Sequence, residues 1–116
     1  EFITVNLDEK QVRLSNKYIE YLYENIGNYP FGAEKMAEHF GITSQYLRRQ
    51  FRKETGQPVV EYFNAIRLEK AKELLRTTGK KVTEIAFEVG YRDAHYFSNL
   101  FKKTQGCTPG EYRSRG

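Results

Sequence analysis

The clearest alternation of apolar and polar positions lies in the last third of the chain. Ile85, Ala86 and Val89 are spaced as on one face of a short helix, and Gly90 follows where a helix commonly ends through a left-handed residue. Asp93 is placed to cap a second helix, because its carboxylate can accept hydrogen bonds from the free amides of the first helical turn. The pattern therefore predicts two helices joined by a tight turn, which is the helix-turn-helix arrangement.

The second of these helices has two faces of different character. Phe97, Leu100 and Phe101 fall together on an apolar face. The opposite face, called here the second reading face, consists of Ala94, His95, Ser98, Asn99 and Lys102. A helix with this division can pack on one side and lie in a DNA major groove on the other. Asn99 is the expected base reader, since Asn can form two hydrogen bonds with adenine, and Ala94 offers a methyl contact to thymine.

The same unit occurs a second time, earlier in the chain. Ala37 and Gly41 match Ala86 and Gly90 at an offset of 49 residues. The matches at an offset of 50 are Leu47 with Phe97, Phe51 with Phe101, Lys53 with Lys103, Gly56 with Gly106, Glu61 with Glu111 and Tyr62 with Tyr112. The one-residue difference falls in the turn, where an insertion is tolerated best. Such internal similarity indicates two copies of one supersecondary unit, and hence two DNA readers on one chain.

The earlier unit predicts its own recognition helix, capped by Thr43 or Ser44 and ending near Thr55. The outward side of this helix, called here the first reading face, consists of Gln45, Arg48, Arg49 and Arg52. Arg can bond guanine and Gln can bond adenine through two hydrogen bonds each, so these side chains suit readout in the major groove. An ordinary solvated, charged face is the alternative, and the repeated architecture favours DNA reading over it.

A long helix is expected between the two units. Gly56 ends the first recognition helix, and Pro58 suits the first turn of the next helix, which we expect to run to about Arg76. At about 1.5 Å per residue this helix spans roughly 30 Å, close to the ~34 Å that separates successive major-groove segments on one side of DNA. Such a helix has a length that could set the two recognition helices one DNA turn apart.

The beginning of the chain carries weaker signals. Residues 1–14 alternate loosely, and we expect a short strand or an extended linker from an N-terminal region outside this sequence. Ser15 or Asn16 can cap a first helix from about Lys17 to Asn25, whose apolar face includes Ile26 and which Gly27 stops. Because the chain begins with Glu rather than Met, we expect it to be a piece of a longer protein.

Several runs of residues resemble the DNA-binding domain of the AraC/XylS family of bacterial transcription regulators. The resemblance is carried by Leu47, Phe51–Lys53 and Gly56, by Arg67-Leu68, Ala71 and Leu74-Leu75, by Ile85-Ala86, Val89–Tyr91, Asp93, Tyr96–Ser98, Phe101–Lys103 and Gly106, and by the ending Thr108-Pro109 and Glu111–Arg113. It implies an all-α, homeodomain-like fold over residues 15–116. In that fold, helix-turn-helix units at 33–56 and 82–106 are joined by a linker helix at 58–76.

The resemblance also implies a role and partners. The role is that of a cytoplasmic bacterial regulator, most often an activator, that binds double-stranded promoter DNA and contacts RNA polymerase. The family usually dimerises through an N-terminal region that this sequence lacks. Arg67 is similar to a recurring arginine of the family, and we expect it to form a structural ion pair with a nearby acidic residue rather than a contact with a base.

The charge distribution fits a polyanionic partner. The 116 residues carry a formal net charge of +4, with a sequence pI of about 9.2. The first 47 residues hold four basic and seven acidic side chains, whereas the remaining residues hold fifteen basic and eight acidic ones. A basic block therefore begins at the first recognition helix. Within it, Lys80 and Lys81 precede the second unit, where they either meet a phosphate or are simply solvated.

The sequence offers little chemistry for catalysis or metal binding. Its one cysteine, Cys107, excludes a disulfide within the chain and a cysteine-based zinc site, and it fits a reducing compartment. No metalloprotease motif or acidic dyad is present, so we expect no catalytic residue, metal or cofactor, and no membrane contact by this fragment. Cys107 is interpreted as a partly buried turn residue. A reactive thiol is the alternative, because some DNA-repair methyltransferases carry a similar helical domain.

A basic helical module that binds nucleic acid without sequence preference is a further alternative. The reading faces argue against it, because Gln45, His95, Ser98 and Asn99 would add little to the binding of phosphate groups. Sequence-specific regulation of transcription is therefore the preferred interpretation.

Overall fold

Seven α-helices account for the regular structure of the described residues, 16–115, in a computed structural model of the chain. They are α1 (16–24), α2 (Ala33–Phe40), α3 (Ser44–Thr55), α4 (Val59–Thr77), α5 (Val82–Glu88), α6 (Ala94–Gln105) and α7 (Pro109–Arg115). The predicted all-α fold with two helix-turn-helix units, α2–α3 and α5–α6, is confirmed. The expected extended segment at 1–14 and the possible cap Ser15 lie outside the described residues.

The described residues divide into two compact units. The first comprises 16–25 and Phe31–Phe63, and the second comprises Ile26–Pro30 and 64–115, so that α4 contributes residues to both. None of the helices among residues 16–115 combines the length and the apolar character needed to cross a bilayer.

The first helix ends close to Asn25, where the sequence placed its end, but Ile26 does not belong to its apolar face. Residue 24 is the last helical position of α1, and the side-chain amide of Asn25 donates to the carbonyl of Tyr21 at 2.8 Å. Ile26, expected on the apolar face of this helix, instead packs against the core of the second unit. Its apolar character is thus explained by a contact that is distant in sequence and that helical spacing could not indicate.

Capping and burial explain the recognition helix of the first unit. The Thr43 hydroxyl accepts a hydrogen bond from the amide of Tyr46 at 3.1 Å, so Thr43 is the N-cap. Gly56 ends the helix in a left-handed conformation, with a φ of 79°. Leu47 and Phe51 are fully buried, and the ring of Tyr62 stands edge-on to Phe51 with 5.4 Å between centroids. The buried pair fixes the opposite side of α3 as the side that faces solvent.

The second unit repeats this construction residue by residue. The Asp93 carboxylate accepts hydrogen bonds from the amides of His95 and Tyr96, and the chain leaves α6 through Gly106, whose φ is 84°. Phe97 and Phe101 are fully buried. The ring of Tyr112 stands edge-on to Phe101 at 5.7 Å, which is the counterpart of the contact between Tyr62 and Phe51.

The Thr-Pro-x-Glu-Tyr-Arg ending has a structural explanation. The amide of Thr108 donates to the Glu111 carboxylate at 2.8 Å, and the amide of Glu111 donates to the Thr108 hydroxyl at 3.1 Å. This reciprocal cap begins α7 at Pro109, and its hydrogen bond from the Thr108 amide lowers the pKa of Glu111. Arg113 donates to the carbonyls of Leu75 and Thr78, and so satisfies acceptors at the end of α4.

Arg67 has a structural role in the second unit. Its side chain is only 6% exposed, and it donates to the main-chain carbonyls of Ile26 and Asn28, at 2.9 Å each. The guanidinium carbon lies 5.3 Å from the centroid of the Tyr91 ring, and burial lowers the pKa of Arg67. The hydrogen bonds to Ile26 and Asn28 end on main-chain carbonyl oxygens, and the expected ion pair with an acidic residue stays a prediction. These hydrogen bonds hold the segment Ile26–Pro30 against this unit.

Candidate nucleic-acid interface

The four side chains of the first reading face all lie on the solvent side of α3. Gln45, Arg48, Arg49 and Arg52 are exposed, because Leu47 and Phe51 take the inward positions. Within residues 16–115, the side chains of Gln45, Arg49 and Arg52 form no hydrogen bond or ion pair with another residue. These three side chains can therefore approach a ligand without first breaking a hydrogen bond or ion pair to this part of the chain.

Arg48 differs from its neighbours on this face. Its Nη2 atom lies 2.5 Å from Oε2 of Glu34, which stands in the first turn of α2. The hydrogen bond from Arg48 holds the pKa of Glu34 below its usual value, so the carboxylate is charged at neutral pH. The first reading face thus contains two arginines without an ion pair to any residue of 16–115, and one that the Glu34 carboxylate already holds.

The second reading face is shorter and mostly neutral. His95, Asn99 and Lys102 are exposed, and Ser98 is half-buried. Ala94 is also half-buried and packs against the core of this unit, so only part of its methyl group is available to a thymine. The residues best placed to meet a base edge are therefore His95 and Asn99.

The two lysines before α5 are exposed but differ in their contacts. The Nζ atom of Lys80 lies 2.5 Å from Oε1 of Glu88, whereas the main-chain amide of Lys81 donates to the carboxylate of Glu84 at 2.9 Å. The carboxylate of Glu84 thus accepts the hydrogen bond from a main-chain amide that could otherwise bind an anion. Because Lys80 keeps two further N–H donors it can still approach a phosphate, but the Glu88 carboxylate offsets part of its charge.

Reasoning from the sequence missed two exposed tyrosines. Tyr46 and Tyr96 occupy the same position in the two recognition helices, 50 residues apart, and they are 46% and 56% exposed. Helical spacing puts each of them beside a reading face, next to Arg49 in α3 and next to Asn99 in α6. The identity of the two residues in otherwise different surroundings was a signal visible in the sequence.

Glu34 was missed as well, and no sequence pattern marks it. Its contact with Arg48 depends on how α2 packs against α3, which spacing along either helix does not define. The interpretation of Cys107 as a turn residue fits its place in the bend after α6, although the side chain is more deeply buried than expected, at 4% exposure. Its thiol does not present itself to solvent.

Comparisons with known proteins agree with this geometry. A family model described as a helix-turn-helix domain matches residues 36–115. The HTH-type transcriptional activator RhaR of Mannheimia succiniciproducens is 46% identical over 69 residues, which cover 60% of this chain and 25% of RhaR. The chain spans between 25% and 35% of the curated relatives it matches, so it corresponds to one part of those proteins.

Two solved structures share the fold over nearly all of the chain. The C-terminal domain of the two-component response regulator yesN from Fusobacterium nucleatum has a TM-score of 0.85 and 36% identity, and the match covers 87% of this chain and 98% of that one. The C-terminal domain of AraT, a response regulator from Geobacillus stearothermophilus, has a TM-score of 0.85 and 34% identity, and the match covers 88% of this chain and 84% of that one. With its two repeated units and the Thr-Pro-x-Glu-Tyr-Arg ending, this chain belongs to the AraC/XylS family of helix-turn-helix transcription regulators.

Proposed function

We propose that this domain binds double-stranded promoter DNA in a sequence-specific manner, with α3 and α6 each lying in a major-groove segment. One observation carries the proposal: two recognition helices with equivalent caps and equivalent buried faces each expose a row of hydrogen-bonding side chains. Packing explains the inward residues of both helices, but it does not explain why the outward residues are those that bond base edges.

The first reading face supports a large contribution to affinity. Arg49 and Arg52 are exposed cations without an ion pair inside residues 16–115, and Lys53 lies in the last turn of the same helix. Each phosphate neutralised by such a side chain contributes about −0.9 to the slope of log K against log salt. Several such contacts make the affinity of this domain strongly dependent on salt.

The second reading face supports selectivity instead. His95 and Asn99 are exposed and carry both donors and acceptors, which phosphate binding alone would not need. Tyr46 and Tyr96 flank the two faces, where their hydroxyl groups can donate to phosphate oxygens and fix the register of each helix. Since one chain carries both faces, a single copy of this domain should occupy one asymmetric site.

For the whole protein we propose a transcription activator of the bacterial cytoplasm. The matched relatives are named activators, and the family resemblance adds contacts with RNA polymerase and dimerisation through a region outside this sequence. The domain acts in this proposal as a binding module rather than an enzyme. The burial of Cys107 supports that choice, because a thiol that accepts an alkyl group from DNA must be accessible.

The experiment that tests the proposal is selection of bound sequences from a random DNA pool, followed by competition at physiological salt. The selected fragment should bind at least about 10³-fold more tightly than random DNA. A double variant, Arg49→Ala with Arg52→Ala, should lose most of this binding while keeping its fold, because both side chains are exposed. Equal binding of selected and random DNA would refute sequence-specific recognition and favour a general nucleic-acid module.

A further inference from the structure

We propose that Glu34 is a specificity-determining residue, which holds Arg48 as a reader of a base and withdraws it from the phosphate backbone. The inference rests on the proposed function, in that α3 must lie in a DNA groove. It assigns a role to a residue of α2, outside both reading faces.

The geometry of the contact leaves Arg48 able to read. Only Nη2 of the guanidinium meets Oε2 of Glu34, at 2.5 Å. A guanidinium carries five N–H donors, so one hydrogen bond to the carboxylate leaves enough of them for a bidentate contact with a guanine. The side chains of Arg48 and Glu34 are 46% and 71% exposed, so a base edge can approach the pair from solvent.

The charge of the pair disfavours the phosphate backbone. The Glu34 carboxylate cancels most of the positive charge that the Arg48 guanidinium would exert on a distant phosphate. The carboxylate itself is repelled by phosphate. Arg49 and Arg52 have no such partner within residues 16–115 and keep their full charge. Arg48 is thus set apart from the phosphate backbone, whereas Arg49 and Arg52 remain able to reach phosphates as well as guanine edges.

A purely structural role explains the pair less well. Both side chains are exposed, and an exposed ion pair adds little to the stability of a fold. The second unit has neither partner: Thr83 stands where the first unit has Glu34, at the offset of 49, and Ser98 stands where it has Arg48, at the offset of 50. The carboxylate therefore occurs in the unit whose reading face contains the arginine.

The test compares Glu34→Gln with Glu38→Gln, a matched control that removes an exposed carboxylate one turn further along α2. Affinities are measured for the selected site, for every singly substituted version of it, and for random DNA, over a range of salt concentrations. Glu34→Gln should bind random DNA more tightly and steepen the salt slope for it by up to about 0.9, since Arg48 gains a phosphate. The ratio of specific to random binding should fall by roughly two- to five-fold, the range expected for loss of one exposed ion pair.

The control and a double variant separate this role from a general charge effect. Glu38→Gln should change binding to all DNA by the same factor and leave the ratio unaltered. Glu34→Gln should relax preference at the base pair that Arg48→Ala relaxes, and it should have no further effect on the ratio when Arg48 is already Ala. If Glu34→Gln behaves like Glu38→Gln, or still lowers the ratio without Arg48, the assignment is wrong. If the unaltered domain itself shows no sequence preference, the proposed function fails first, and the two failures are distinguishable.

Discussion

The first and second units share an interior and differ in what they present to solvent. Phe51 and Phe101 are buried at equivalent positions, and each meets a tyrosine edge-on, at 5.4 and 5.7 Å. On the outward side of the same helices, Arg48 and Arg49 correspond to Ser98 and Asn99. The interior is restricted by packing, whereas the outer faces are free to differ.

The difference indicates a division of labour between the units. The first reading face carries long, cationic side chains, which can reach phosphates and guanine edges together. The side chains of the second are shorter and mostly neutral, so in the proposed function they contribute by matching donors and acceptors of the bases. A protein with two copies of one helix pair can thus separate affinity from selectivity without a change of fold.

The largest expected contrast concerns the turns of the two helix-turn-helix units. Gly41 and Gly90 both have positive φ values, of 69° and 94°. A Cβ on Gly90 would lie 2.5 Å from Nη2 of the buried Arg67, whereas a Cβ on Gly41 would meet nothing within 4 Å. Gly90→Ala should therefore destabilise the domain by more than about 3 kcal/mol, and Gly41→Ala by about 1 kcal/mol. Denaturant unfolding of both variants measures this, and equal losses would show that the turns are equally tolerant.

The next contrast is the response of the two units to alkaline pH. Tyr91 corresponds to Ile42 at the offset of 49, and burial raises the pKa of Tyr91 to about 12. The pKa of Tyr91 in the folded state exceeds the ordinary value of 10, so the protonated phenol stabilises the folded state. This stabilisation is fully present below pH 10 and is lost as the pH rises towards 12. The loss should amount to about 2–3 kcal/mol. Unfolding free energies across this range should fall less in Tyr91→Phe than in the parent, and identical curves would contradict the assignment.

The two reading faces should differ in how their loss depends on salt. Arg49→Ala should weaken specific binding by roughly 1–3 kcal/mol, and Asn99→Ala should weaken it by less. If Arg49 also neutralises a phosphate, Arg49→Ala should have a shallower slope of log K against log salt than the parent. Asn99→Ala should not, because Asn99 carries no charge. Titrations at several salt concentrations decide this. A larger loss from Asn99→Ala would reverse the proposed division of labour.

The smallest expected effect is shared by both units. Tyr46→Phe and Tyr96→Phe should each weaken binding to specific and random DNA alike, by about 0.5–1 kcal/mol, because each removes one neutral hydrogen bond to phosphate. Tyr23→Phe is the matched control, since Tyr23 is similarly exposed but lies on α1. A loss that depends on the DNA sequence would instead make these tyrosines base readers.

The features predicted correctly from the sequence depend on neighbours within about one helical turn. Thr43 and Asp93 were placed as possible caps, and Gly90 as a left-handed exit, because each acts on its own backbone or on amides up to three residues away. These local signals defined both helix-turn-helix units.

The features that the sequence did not indicate depend on contacts between helices. Glu34 meets Arg48 across 14 residues, and Arg67 meets Ile26 across 41. Ala94 was expected at a base edge, but its side chain is half-buried and packs against the core of the second unit. Spacing along one helix shows which residues share a face, and it does not show which other helix that face meets.

We propose that two different reading faces on one chain recognise different segments of one DNA site. The direct measurement is a comparison of Arg49→Ala and Asn99→Ala on every singly substituted version of the selected site. We expect each variant to lose preference at its own base pair, and the two base pairs to lie about one helical turn, roughly 10 base pairs, apart. Loss of preference at the same base pair, or at none, would contradict it.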